Sequence, residues 1–404
     1  MHETFGQALH RWRTRRRLSL RVLARAVPCS HGHLWDIEQG SRQVTPTVAA
    51  KLDAALQAGG ALIAIARRSR TVDPRTGEPA ATVGLLAAGP PPALRGAHPT
   101  AIAHDWLLAD PAPLRAAGGG RVGAEVPEAL AALVGALRRR DDAEGGADLL
   151  DLVEPEVQFV ARLLTRASYT ERVGRALYLR LAELTELAGW AAYDAGRHRT
   201  APAYFHAALQ AARAAGDRIL GAYVLAMWGF AETDLGRAGD AVTILRTAET
   251  GVRGIASPKL HAVLATWEAR AAARGGKGAR RQFERTLARA GGAYERGPGE
   301  GEPDWAYWMV QPELTAEAGR GFALAGDWPD AVRHLEQGLA QLDADYPRDR
   351  ALYLSYLAEA HLLGGELDRA RDRAAQAAAL AARLRSSRVA EHVESVERRL
   401  APVA

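Results

Sequence analysis

The feature that most constrains this chain is a set of small residues recurring at fixed offsets through its second half. In "GWAAYDAGRHRTAPAYFHAA", Gly189 is followed by Gly196, Ala201, Phe205 and Ala208. The same offsets select Gly229, Gly236, Ala241, Leu245 and Ala248, then Gly319, Gly326, Ala331, Leu335 and Gly338, then Ala358, Gly365, Ala370, Ala374 and Ala377. A weaker copy, Ala269, Gly275, Ala279 and Phe283, lies between them, and "GGAYERGPGEGEPD" makes one longer gap. Small residues at the first and third marks let two antiparallel helices approach closely. The second glycine opens a turn by taking a positive φ. The large residue at the fourth mark fills the space between the pair. Each pair buries its face only against its neighbours, so at least three must stack. The spacing predicts an α-solenoid.

Elsewhere the signals are also helical. Residues 126–140 and 149–166 have amphipathic periodicity, and nothing reads as a regular run of strands, so the fold class is all-α. Residues 68–125, with "GPPPALRGAHP" and "RAAGGGRVG", read as a linker with one short helix around Trp106. The division is therefore residues 1–67, a helix-turn-helix head; 68–125, a linker; and 126–404, a helical repeat domain for sensing or dimerisation. No run of 18 apolar residues marks a membrane span, and no secretory leader is read at the start. Cys29 is the single cysteine, so no internal disulfide forms, and a cytoplasmic, nucleoid-associated location is expected.

Charge is divided unevenly. Up to Arg70 the chain carries 12 Lys and Arg against 4 Asp and Glu, while the remainder carries 40 against 43. A basic head on a slightly acidic body suits a polyanion partner. The head itself reads as short helices. Phe5, Leu9 and Trp12 share one face. Ser19 caps a second helix with Leu20, Leu23 and Ala24 inward, and Pro28 stops it. Ser30 caps a third, "HGHLWDIEQ", with Leu34 and Ile37 inward and Gly40 as its stop. Thr45 caps a fourth that begins at Pro46. A tight turn between the second and third helices makes a helix-turn-helix.

Leu18, Ser19, Leu23, Ala24, Ser30, Leu34, Ile37, Glu38 and Gly40 form a pattern that resembles the xenobiotic-response-element class of regulator, the Cro and repressor heads. "VTPTVAAKLDAALQAGGALIAI", "LAGWAAYDAGRH" and "ALQAARAAGDRILGA" resemble an actinobacterial group that joins such a head to a tetratricopeptide body. The repeat offsets are likewise similar to tetratricopeptide repeats, with a period longer than their usual ~34 residues. The resemblance implies that the third helix enters the major groove of double-stranded DNA with its leading residues against base edges. His31, Gly32, His33 and Asp36 then become the base-reading positions. Histidine can donate to guanine and aspartate can accept from cytosine. Arg16, Arg17, Arg21, Arg42 and Gln43 become the phosphate contacts. Arg13 and Glu38 become a structural ion pair tying helix one to helix three.

The tetratricopeptide register places Trp190, Tyr193, Tyr223, Phe230, Arg270, Arg320 and Glu359 toward a concave groove. "DWAYWMVQPE" adds Trp305, Tyr307, Trp308 and Met309. Aromatics with a few charges suit a peptide, a small molecule or a protein as signal. The expected function is a sequence-specific transcriptional regulator, a homodimer reading a near-palindromic operator. The alternative is a protein-interaction scaffold that uses its basic head for docking. No enzyme motif, cofactor motif or metal-ligand spacing is read. His31 and His33 are two apart on a helix, and "GGGRVGAE" lacks the ending of a phosphate loop.

Overall fold

The computed structural model describes residues 5–27, 31–39, 44, 46–68, 79–94, 97–109, 120–146, 148–275, 279–297, 299 and 302–401. They form helices with no strand among them, and the chain divides into two compact units, Met1–Asp73 and Pro74–Ala404.

The first unit is a bundle of α1 (Phe5–Arg15), α2 (Leu20–Ala26), α3 (His31–Glu38), α4 (Pro46–Leu56) and α5 (Ala61–Arg68). Their apolar stripes meet in one core built from Phe5, Leu9, Leu23, Leu34, Ile37, Leu52, Leu56 and Leu62. Ser19 caps α2 by accepting from the Val22 N–H at 3.3 Å. Asp53 caps α5 from a distance: its carboxylate accepts from the N–H groups of Gly60 at 2.8 Å and Leu62 at 2.9 Å. α1 ends with Arg17 in the left-handed region, φ 55°, an unusual site for a side-chain-bearing residue. Pro28, Cys29, Ser30, Gly40 and Thr45 lie outside the described residues.

The second unit begins earlier than its sequence suggests. α6 (Pro79–Ala88) and α7 (Pro99–Leu108) come from the stretch read as a linker, yet Val83, Leu86, Ile102, Ala103 and Trp106 are buried in the body's main core. The Trp106 ring sits where side chains on Gly221 and Gly251 would collide with it, at 2.3 and 2.4 Å from ideal Cβ positions. Proline and glycine density signalled a flexible link. The short helix expected around Trp106 is α7, but α6 joins it and both dock into the core, so what is corrected is the flexible link over these residues.

The array then runs α8 (Glu125–Glu144), α9 (Leu149–Arg166), α10 (Glu171–Asp194), α11 (Ala201–Ala215), α12 (Arg218–Asp234), α13 (Ala238–Gly251), α14 (Pro258–Ala273) and α15 (Arg280–Tyr294). A 3₁₀ turn at Asp304–Trp308 precedes α16 (Gln311–Leu324), α17 (Trp328–Gln341), α18 (Pro347–Leu363), α19 (Leu367–Ala381) and α20 (Ser387–Leu400). The repeat marks do what their chemistry requires. A Cβ on Gly189, Gly229 or Gly319 would lie 2.8 Å from Phe205, Leu245 or Leu335, the partner large residue in each case. The turn glycines 196, 236, 326 and 365 take φ between 73° and 83°. The weaker copy departs from this: Gly275 is not in the left-handed region, and α14 ends in αR geometry at Arg274.

The array curls until its last helices reach its first. The Arg385 N–H donates to the Glu144 carbonyl at 2.7 Å, and the Ser386 hydroxyl donates to Asp194 at 2.9 Å. Arg348, opening α18, pairs with Asp141 and Asp142 on α8. Arg388 on α20 pairs with Asp194 at 3.0 Å. The even-numbered helices α8 to α20 thereby surround an interior space.

Candidate functional sites

In the first unit, the exposed edge of α3 is the candidate DNA-facing surface. Leu34 and Ile37 are sunk in the core, which fixes which face points outward. His31 and Gly32 are exposed at the leading end, and Asp36 is partly buried. His33 lies on α3, but its side chain is outside what is described. Trp35 is more than half exposed, 54%, one turn after His31. Sequence reading passed over Trp35 because a tryptophan on an amphipathic helix is ordinarily core. Its position beside two inward residues was the available signal.

Arg13 and Glu38 hold α1 to α3. The Arg13 guanidinium donates from Nε to Oε1 at 2.6 Å and from Nη2 to Oε2 at 2.9 Å, a two-pronged contact. Arg13 also donates to the Leu18 carbonyl at 2.9 Å, and His10 Nδ1 lies 3.1 Å from Glu38. Burial opposes ionisation of Glu38, but the hydrogen bonds from Arg13 and His10 outweigh it and hold the carboxyl below its ordinary range. A Cβ on Gly6 would lie 2.5 Å from the Glu38 carbonyl oxygen, so α1 approaches the end of α3 backbone to backbone.

The expected phosphate contacts divide. Arg17 and Arg21 are exposed. Arg16 is exposed as well, and it donates to the carbonyls of Leu56 at 3.1 Å and Gln57 at 3.4 Å at the end of α4. Arg42 and Gln43 lie outside the described residues.

The second unit holds two adjoining spaces. The inner cavity measures about 90 Å³. Trp190, Tyr223, Phe230 and Trp308 line it, as their register suggested. A neighbouring cleft of about 560 Å³ takes Tyr193, Arg320 and Glu359, and shares Tyr356 and Arg388 with the cavity. Two of the expected groove residues stand in the wall's interior instead. Arg270 is buried between Glu317 at 3.2 Å and Asp234 at 3.4 Å, with its guanidinium 3.8 Å over the Phe230 ring. Trp305 is stacked behind Tyr223, centroids 4.0 Å apart. Met309 is core.

The cavity also has a lining that repeat register did not reveal: Arg138, Asp141 and Asp142 from α8, Glu313 from α16, Arg348 from α18 and Arg388 from α20. These residues come from elements outside the clear repeat copies, or converge only because the array closes. Burial pushes the Asp142 carboxyl up to about 6 against the pull of Arg348. Burial likewise pushes Glu186 up to about 7, although Arg138 faces it. Asp234 is the opposite case: burial opposes it, but Arg320, 2.6 Å away, and Arg270 hold it far below the usual range. No cluster of three metal-ligating side chains occurs among the described residues, and no described helix is long and apolar enough to cross a membrane.

The first unit thus has the form of a helix-turn-helix domain. Residues 4–65 match the family described as "Helix-turn-helix domain". No curated protein matches the chain. Among solved structures, Bacillus thuringiensis PlcR, in complex with the peptide PapR7 and DNA, is similar at 11% identity with a TM-score of 0.34. The match covers 83% of this chain and 95% of that one.

Proposed function

We propose that the chain is a sequence-specific DNA-binding transcriptional regulator whose helical body receives a signal. The observation that carries the reading is α3. It sits in a helix-turn-helix domain, pinned by its apolar face and by Arg13–Glu38, with His31 and Gly32 exposed at its leading end. Arg17 and Arg21 supply exposed cations on the same head, and the head's charge excess favours a duplex over a neutral protein surface. One head makes few base contacts, so two heads in a homodimer read half-sites about one helical turn apart, on a near-palindromic operator. The interior of the body, walled by aromatics and charges from successive helices, is where a signal binds. By linkage, signal and DNA then alter each other's affinity equally.

Selection from a pool of random duplexes by the full-length chain tests the reading. It predicts enrichment of a two-fold symmetric motif and a complex of two chains per duplex. Recovery of unrelated sequences, all released alike by salt, would contradict it.

A further inference from the structure

Trp35 departs from the pattern of the head around it. Leu34 and Ile37, its neighbours on α3, are sunk in the core, yet Trp35 is 54% exposed. The head's other tryptophan, Trp12, packs against that core with the Arg15 guanidinium over its ring. Among the described residues no ring, guanidinium or hydrogen-bonding partner engages the Trp35 side chain. Tryptophan is ordinarily among the more buried residue types, so a large ring left in water is the informative case. The core-facing positions of α3 are already filled without it.

The place of the ring on α3 decides what it can meet. Around the helix axis Trp35 lies about 40° from His31 and about 60° from Gly32, on the arc that runs on to Asp36 and away from Leu34 and Ile37. Helical side chains lean back toward the N-terminus, so an indole at this position covers the preceding turn, at the leading end. Gly32 carries no side chain to occupy that surface. Base edges in the major groove present donors and acceptors, apart from the C5-methyl of thymine, which is apolar. An indole face laid over a donor or acceptor strips its water and returns no hydrogen bond. Laid over a methyl, it removes apolar surface from water on both sides. A phosphate would engage the N–H alone and leave the ring in water.

We propose that Trp35 is a specificity-determining residue of the head: its indole packs on a thymine C5-methyl in each half-site of the operator. The operator therefore carries a thymine at a fixed place beside the position read by His31. This deepens the reading of the chain as a DNA-binding regulator and rests on it.

Uracil scanning of the duplex selected by the full-length chain tests the assignment. Deoxyuridine replaces thymidine at one symmetry-related pair of positions at a time, which deletes the methyl and keeps every hydrogen-bonding group. Affinities are measured by anisotropy of the labelled duplex for the natural chain, Trp35→Ala and Trp35→Phe. The expected result is one pair of positions at which uracil weakens the natural chain by about 4-fold per half-site, the transfer scale of a single methyl. In Trp35→Ala the same replacement changes nothing, while binding to the thymine duplex is weakened at least as much. Trp35→Phe, which keeps an apolar ring, retains most of the sensitivity to uracil. Four outcomes would overturn the proposal: uracil silent at every position, uracil equally costly in Trp35→Ala, Trp35→Ala weakening selected and scrambled duplexes alike, or Trp35→Ala leaving affinity unchanged. The third places the ring on the sugar–phosphate backbone, and the fourth assigns it to a protein contact. Failure to enrich any motif from random duplexes refutes the regulator reading and the role of Trp35 with it. An enriched motif on which uracil is silent throughout refutes the assignment of Trp35 alone.

Discussion

One carboxylate, that of Glu38, joins α3, the helix proposed to face DNA, to α1. Its folded-state acidity is stronger than in the unfolded chain, because the Arg13 and His10 contacts exceed the cost of burial. The sign follows. The unfolded chain takes up the proton first as pH falls, so the pair stabilises the head above the ordinary carboxyl value of ~4.3, and that contribution is lost below it. Hydrogen exchange of the α1 and α3 amides should show protection falling between about pH 5 and about pH 3 in the natural chain. In Glu38→Gln, protection should be lower throughout and nearly flat over that range. At this scale the pairing of Arg13 with Glu38 was readable from sequence, since the residues sit at matching places in the head's pattern. Arg16 was not, because its capping of α4 depends on where that helix ends. Trp35 was not, because exposure of a large ring is decided by the crowding of its neighbours.

Among elements, the repeat helices were the most legible; α7 was legible as a short helix around Trp106, while α6 and the docking of the pair were not. Gly189, Gly229 and Gly319 declared themselves by offset, because close helix approach leaves no substitute for a missing side chain. Trp106 left no such periodic trace. Its partners, Gly221 and Gly251, lie over 100 residues away and look like ordinary helix glycines until the ring fills the gap between them. Trp106→Ala removes a buried ring from a site that rigid helices cannot collapse around, and should cost the body ~3–5 kcal/mol in denaturant unfolding. A loss under ~1 kcal/mol would mean that α7 is peripheral to the body. The same glycines explain why larger residues there are excluded.

At the scale of the whole molecule, closure of the array is what sequence concealed. α8 carries no repeat mark, yet its Asp141 and Asp142 meet Arg348 across more than 200 residues. Closure also buries carboxyls, and this has a pH signature. Glu186, at about 7, and Asp142, at about 6, hold protons more tightly folded than unfolded. Their burial therefore costs nothing below the ordinary carboxyl range and grows costly as pH rises through those values. The strongly paired Asp234 and Glu359, the latter near 2, do not titrate in that window. Thermal unfolding of the body should occur at lower temperature at about pH 7.5 than at about pH 5, and Glu186→Gln should flatten that slope. A slope of opposite sign would show that other groups govern the body's stability. In the head, the leading end of α3 is proposed to read base edges. Affinities of the natural chain and His31→Ala for the selected duplex and for a scrambled one, measured across a salt series, test it most directly. The prediction is a loss of ~1–3 kcal/mol on the selected duplex, with one base position relaxed and the salt slope unchanged. An equal loss on both duplexes, or none on either, would contradict it.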